Sequence, residues 1–123
     1  MKIPSQYLPV MPYLILDDAS TFLEFAKIVF GAEEQLIVPG HDERSIMHAE
    51  IKIGDAVIMF AQSTEVFKEK SAGMFLFVKD VDKIYDNALH NNSVSMQEPN
   101  QQEYGYTAGF EDPFGNQWWI TTP

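Results

Sequence analysis

Apolar residues change their spacing along this chain in a fixed order, and the order runs twice. Residues 10–16 form a dense apolar run that predicts a buried strand. Asp17-Asp18 then supplies an N-cap. Ala19, Phe22, Leu23, Ala26, Val29 and Phe30 recur at helical spacing as far as Gly31, a C-cap residue. Strand-like runs follow at 35–38, 46–53 and 56–61, the last two joined by the turn pair Gly54-Asp55. Residues 62–72 are polar, carry Lys and Glu, and read as a connector.

The second half repeats that order. Residues 73–78 predict a strand, Asp80 caps a helix carrying Val81, Ile84, Tyr85, Ala88 and Leu89, and Asn91-Asn92 ends it. Strands follow at 94–97, 106–111 and 117–122, with Pro113 and Gly115-Asn116 turning the chain between the last two. Each half is therefore β-α-β-β-β, and Asp18 and Asp80 stand in matching places. The chain reads as one domain, 1–123, built of modules at about 8–61 and 73–122. Side by side, tandem βαβββ modules make an α+β fold. An eight-stranded curved sheet would carry the helices on its convex face and leave a concave cup on the other. Function would sit in the cup.

At 123 residues the chain can bury roughly two thirds of its unfolded surface. It has no Cys, which excludes disulfides, thiolate metal sites and cysteine nucleophiles. The N-terminus has no apolar leader core and no run approaches the ~20 residues of a membrane span, so no membrane partner is expected and the cytoplasm is the expected compartment. The formal net charge of -10 is spread evenly, with nine Asp/Glu and four Lys/Arg in each of residues 1–61 and 62–123. Without a basic patch to neutralise phosphates, nucleic acid is not an expected partner. The acidity either keeps the protein in solution or attracts cationic ligands.

A doubled β-α-β-β-β unit ending in Asp112-Pro113-Phe114-Gly115-Asn116 resembles the vicinal oxygen chelate superfamily. That group contains glyoxalase I, extradiol dioxygenases, fosfomycin-resistance enzymes and metal-free bleomycin-binding proteins. Phe30-Gly31-Ala32-Glu33-Glu34, Met47-His48-Ala49-Glu50-Ile51 and Gly54-Asp55-Ala56-Val57-Ile58-Met59 are similar to its PhnB-like, glyoxalase/bleomycin-resistance-like subgroup. The likeness covers about residues 8–122. Members hold their metal with one side chain from the first strand and one from the last strand of each half, using His, Glu or Gln. Counted from Asp18, the resemblance puts these positions at Met11, Gly73 (Met74 if the register slips by one), Met59 and Trp119. No carboxylate or imidazole stands at any of them. No metal and no cofactor are therefore expected, nor glyoxalase, dioxygenase or metal-assisted epoxide-opening chemistry as normally performed.

Strand alternation sorts the remaining side chains. Met11, Tyr13 and Ile15, then Val57, Met59 and Ala61, are expected in the cup, with Ile58 and Phe60 under the helices. Gly73, Phe75 and Phe77 and Gln117, Trp119 and Thr121 are their counterparts, and Trp118 belongs to the core. Met47, Ala49, Ile51 and Ile53 form an apolar row that wants the core, which turns His48, Glu50 and Lys52 toward the cup or its rim. Thr107, Gly109 and Glu111 match them in the second half. Met and aromatic walls suit a planar or apolar molecule, or a cation stacked on a ring.

The pair His48/Glu50 is the sharpest chemical feature. Either Glu50 orients His48 for acid/base work or anion binding, or the two are a solvated charge pair on an exposed strand face. Arg44 reads as a carboxylate or phosphate clamp or as an ordinary surface ion pair. Tyr104-Gly105-Tyr106 reads as a mobile flap over the cup or as a loop with two half-buried rings.

The leading expectation is a metal-free binding protein for an aromatic or cationic small molecule. Its contacts would be Met11, Tyr13, His48, Glu50, Val57, Met59, Phe75, Phe77, Tyr104, Tyr106 and Trp119. The resemblance implies a homodimer. The alternative is a lyase, isomerase or hydrolase of the same fold working around His48, Glu50 and Glu111.

Overall fold

The computed structural model describes residues 1–42 and 45–123; Glu43 and Arg44, and with them the expected clamp, lie outside the described residues. The chain divides into two compact units, Met1–Lys70 and Ser71–Pro123, the break falling inside the expected connector.

The first unit runs β1 (Tyr13–Leu16), α1 (Ala19–Phe30), β2 (Glu33–Pro39), β3 (Ile46–Ile53) and β4 (Ala56–Gln62). Its sheet has the order β1-β4-β3-β2, with β1 parallel to β4 and the other pairs antiparallel. The second unit repeats this with β5 (Gly73–Phe77), α2 (Val81–His90), β6 (Val94–Gln102), β7 (Gly105–Glu111) and β8 (Gln117–Thr122), ordered β5-β8-β7-β6. The eight strands thus form two four-stranded sheets, one per unit, each with its own helix.

Both expected caps are present. The Asp18 carboxylate accepts from the Thr21 N–H, and that of Asp80 from the Lys83 N–H. At the other end of α1, Gly31 takes the left-handed conformation at φ 66° that lets its N–H reach back to the last carbonyls. The buried face of α1 meets the sheet through Phe22, whose ring stands edge-on to Phe60 at 4.9 Å. Leu14, Leu16, Ala49, Ile51 and Ile58 share this core. Burying each large side chain contributes about 1.5–3 kcal/mol.

Three expectations need correction. The first strand begins at Tyr13 rather than at residue 10, because Pro9 and Pro12 have no N–H to give a ladder. Met11 therefore precedes the sheet. Met47 leaves the core row and is exposed, while Ile46 is buried in its stead. The cause is a bulge: Val38 pairs with His48 and Pro39 with Ile46, so Met47 is an extra residue on β3. Finally, β6 continues through Pro99 to Gln102, with register shifts after Ser95 and Gln97 that accommodate the proline.

Candidate functional site

In the first unit a row of register partners crosses the sheet on the face away from α1: Tyr13, Met59, Glu50 and Leu36. Glu50 sits at the centre and is only 2% exposed. A carboxylate out of water needs donors on its oxygens, and it has them. The Tyr7 hydroxyl donates at 2.9 and 3.0 Å, Gln35 Nε2 donates to Oε1 at 3.1 Å, and His48 Nε2 lies 2.7 Å from Oε2. Burial pushes the Glu50 carboxyl up, but the hydrogen bonds from His48, Gln35 and Tyr7 outweigh it and hold the group below its ordinary value. Through the bond to Glu50, reinforced by burial and charge, the Tyr7 hydroxyl is pushed up.

The expectation of a solvated pair at His48/Glu50 is thus corrected: this carboxylate is buried and fully engaged. In its neutral form His48 donates to Glu50 from Nε2, which leaves Nδ1 as an acceptor. Tyr13 Oη lies 3.1 Å from that Nδ1 and, to the neutral ring, is the donor. A continuous chain therefore runs from the buried Glu50 through His48 to Tyr13, which is 50% exposed. Tyr13 also lines a cleft of about 440 Å³ whose other apolar walls are Ile15, Met47, Ala61 and Phe67.

Two bulges build this arrangement. Glu34 pairs with Ile51 and Leu36 with Glu50, leaving Gln35 as the extra residue whose amide turns to the carboxylate. The bulge at Met47 carries its side chain into the cleft. Neither Gln35 nor Tyr7 stands out in the sequence. Tyr7 lies 43 residues from its partner in a polar lead, and the one hint is an aromatic ring in that lead.

In the second unit the equivalent row is Phe75, Trp119, Gly109 and Gln97. Phe75 and Phe77 are exposed and meet edge-on at 5.2 Å. The Trp119 ring lies against the Gly109 backbone: a Cβ on Gly109 would stand 2.3 Å from a ring carbon. Glu111 is exposed at the end of β7. Trp118 is core, as expected, at 1% exposure.

Other expected contacts fall elsewhere. Val57 is 2% exposed and leaves a ligand almost no surface. Tyr106 shares the strand face of Ala108 and Phe110, so its hydroxyl reaches Asp82 on α2 at 2.7 Å and away from the face carrying Trp119. The expected flap segment is a hairpin turn: Glu103 and Tyr104 form the turn, and Gly105 is already in β7, paired with Gln102. Tyr104 itself is exposed. Among the described residues no three His, Cys, Asp or Glu gather as a metal-holding group.

An uncharacterized protein of Mycobacterium bovis is 28% identical over 124 residues, spanning 91% of this chain and 81% of the relative. Solved structures share the fold. The PhnB protein from Bacillus cereus has a TM-score of 0.73 at 13% identity, covering 94% of this chain and 100% of that one. The bleomycin-binding protein from Streptomyces verticillus, complexed with copper(II)-bleomycin, has a TM-score of 0.62 at 16% identity, covering 95% and 97%. No helix is long and apolar enough to cross a membrane among the described residues. The family model matches residues 9–120, and the chain belongs to the Glyoxalase/Bleomycin resistance protein/Dioxygenase superfamily.

Proposed function

We propose that this protein binds a small aromatic or cationic molecule without a metal, and holds it by sequestration. The observation that carries the reading is the state of the sheet faces turned away from the helices. Tyr13 and Phe75 stay 50% and 53% exposed there, and Phe77 66%. Rings left in water at that level lose apolar surface only when something covers them. The acidic net charge favours a cation by long-range attraction. The bleomycin-binding neighbour is a binder by its name, which lends support by likeness. A single domain, acting as a homodimer in the cytoplasm, belongs to the same reading, and light scattering on the purified chain tests the dimer.

A panel of planar cations and neutral aromatics, titrated against tryptophan fluorescence and repeated by calorimetry, tests the binding. Trp119→Ala is expected to weaken the best ligand by about 1–3 kcal/mol, the range for truncating a buried aromatic contact. Unchanged affinity in that variant removes Trp119 from the contacts, and no binding across the panel overturns the reading.

The buried carboxylate favours a second reading. A Glu50 held ionised against His48 is how a general base is oriented, so a lyase or isomerase using His48 and Glu50 is the alternative. It requires a turnover that His48→Ala abolishes.

A further inference from the structure

The direction of the hydrogen bonds in the first unit says which ligand the cleft would favour. Glu50 accepts from every partner, so the neutral His48 ring donates to it from Nε2 and accepts from Tyr13 at Nδ1. The Tyr13 proton is thereby committed inward. Its oxygen lone pairs remain for whatever enters the cleft beside it. Two acceptors at the cleft edge are already taken: Gln62 Oε1 accepts from the Ala19 N–H, and Thr64 Oγ1 accepts from the Phe67 N–H. The cleft is otherwise walled by Ile15, Met47, Ala61 and Phe67. An apolar pocket that offers an acceptor at Tyr13 selects a flat apolar body bearing a hydrogen-bond donor.

We propose that this cleft takes a small phenol, and that the Tyr13–His48–Glu50 chain removes the hydroxyl proton of the bound molecule. The inference rests on the aromatic-ligand reading above and adds the acidic hydroxyl. The ligand O–H breaks and its proton passes to Tyr13 Oη. The proton that Tyr13 held passes to His48 Nδ1. The ligand is left as a phenolate accepting from Tyr13, and the imidazolium is held by the Glu50 carboxylate. No proton is gained or lost overall, and no further reactant is needed. A buried carboxylate stabilising an imidazolium is the same device that serves general-base catalysis.

The charges around the chain permit this. Among the described contacts, the titratable groups at Glu50 and His48 are Tyr7 from the N-terminal lead and Tyr13 from β1. Their neighbours on β2 and β4 in the register are Leu36, Val38 and Met59, none of them titratable. Lys52, further along the same face of β3, pairs in register with Glu33 and Val57.

4-Nitrophenol reports its own ionisation by absorbance, and 4-nitroanisole is the same body without the proton. Both are titrated into the full chain and into Tyr13→Phe and Glu50→Gln across a pH series. The bound nitrophenol is expected to ionise at least about one pH unit below the free compound, a tenfold change in its ionisation constant. Tyr13→Phe, which removes one half-exposed hydroxyl, should abolish the shift while nitroanisole binding persists, and Glu50→Gln should do the same if it folds. A nitrophenol that binds without the shift, or a shift retained in Tyr13→Phe, overturns the inference and leaves aromatic binding standing. If neither compound binds, the inference falls, and the broader reading is judged on its cationic ligands.

Discussion

Trp118 Nε1 donates to Asp112 Oδ2 at 2.8 Å, which ties the core of the second unit to the turn that precedes β8. The same carboxylate accepts from the N–H groups of Phe114 and Asn116 and from Asn116 Nδ2. Asp112 is 4% exposed. Asp112→Ala would leave four donors facing a void, and with each unpaired buried group costing about 1–3 kcal/mol, the loss should be about 3 kcal/mol or more. Urea unfolding measures it; a change under about 1 kcal/mol would mean that water replaces the carboxylate.

Gly109 is required by contact rather than by backbone geometry. Gly109→Ala would drive a methyl into the Trp119 ring and is expected to cost about 1–3 kcal/mol by overpacking. In a Trp119→Ala background the same substitution should be close to neutral. The double-mutant cycle therefore yields a coupling of similar size, and additive effects would show that the ring does not lie on the glycine.

Two buried carboxylates give the stability opposite dependences on acid. Glu50 is held below its ordinary value of 4.5, so the stability it contributes is present above that pH and lost as pH falls through its folded value. Asp112 is pushed above 3.8 by burial, its hydrogen bonds offsetting only part. Its contribution is present below that pH and lost as pH rises through its folded value. Glu50→Gln should make the acid-side loss of stability shallower, and Asp112→Asn should make it steeper. Urea midpoints across the acid range test both signs.

Loading with Ni, Zn, Mn or Fe(II) followed by desalting should leave metal far below one ion per chain. Met59 and Trp119 occupy the matching rows of the two sheets, and neither offers a ligand to such ions. Retention near one per chain would instead direct attention to His48 and Glu50.

The repeated fold was legible because its signals are local. Asp18, Asp80 and Gly31 mark helix ends by their own chemistry, and residues 46–53 and 117–122 carry their strand pattern within eight residues or fewer. The row through Tyr13 and Met59 follows from alternation alone. The site was legible only in part. His48 and Glu50 could be put on one strand face, but what buries Glu50 comes from Tyr7 and Gln35, 43 and 15 residues away. Alternation also fails wherever a bulge adds a residue, which is why Met47 was expected in the core and Gln35 was not singled out. Tyr106 is a different case: its alternation with Ala108 and Phe110 was readable, and it points the ring to α2.

In each unit the first strand lies parallel to the last, Tyr13–Leu16 against Met59–Gln62 and Gly73–Phe77 against Gln117–Thr121. A pull applied across either unit, from the start of its first strand to the end of its last, loads those hydrogen bonds together, as in a lap joint. A hairpin such as β3–β4, pulled from its open end, parts one bond at a time, like a zip. Each unit thus carries its strongest resistance to stretching along the line of its own chain.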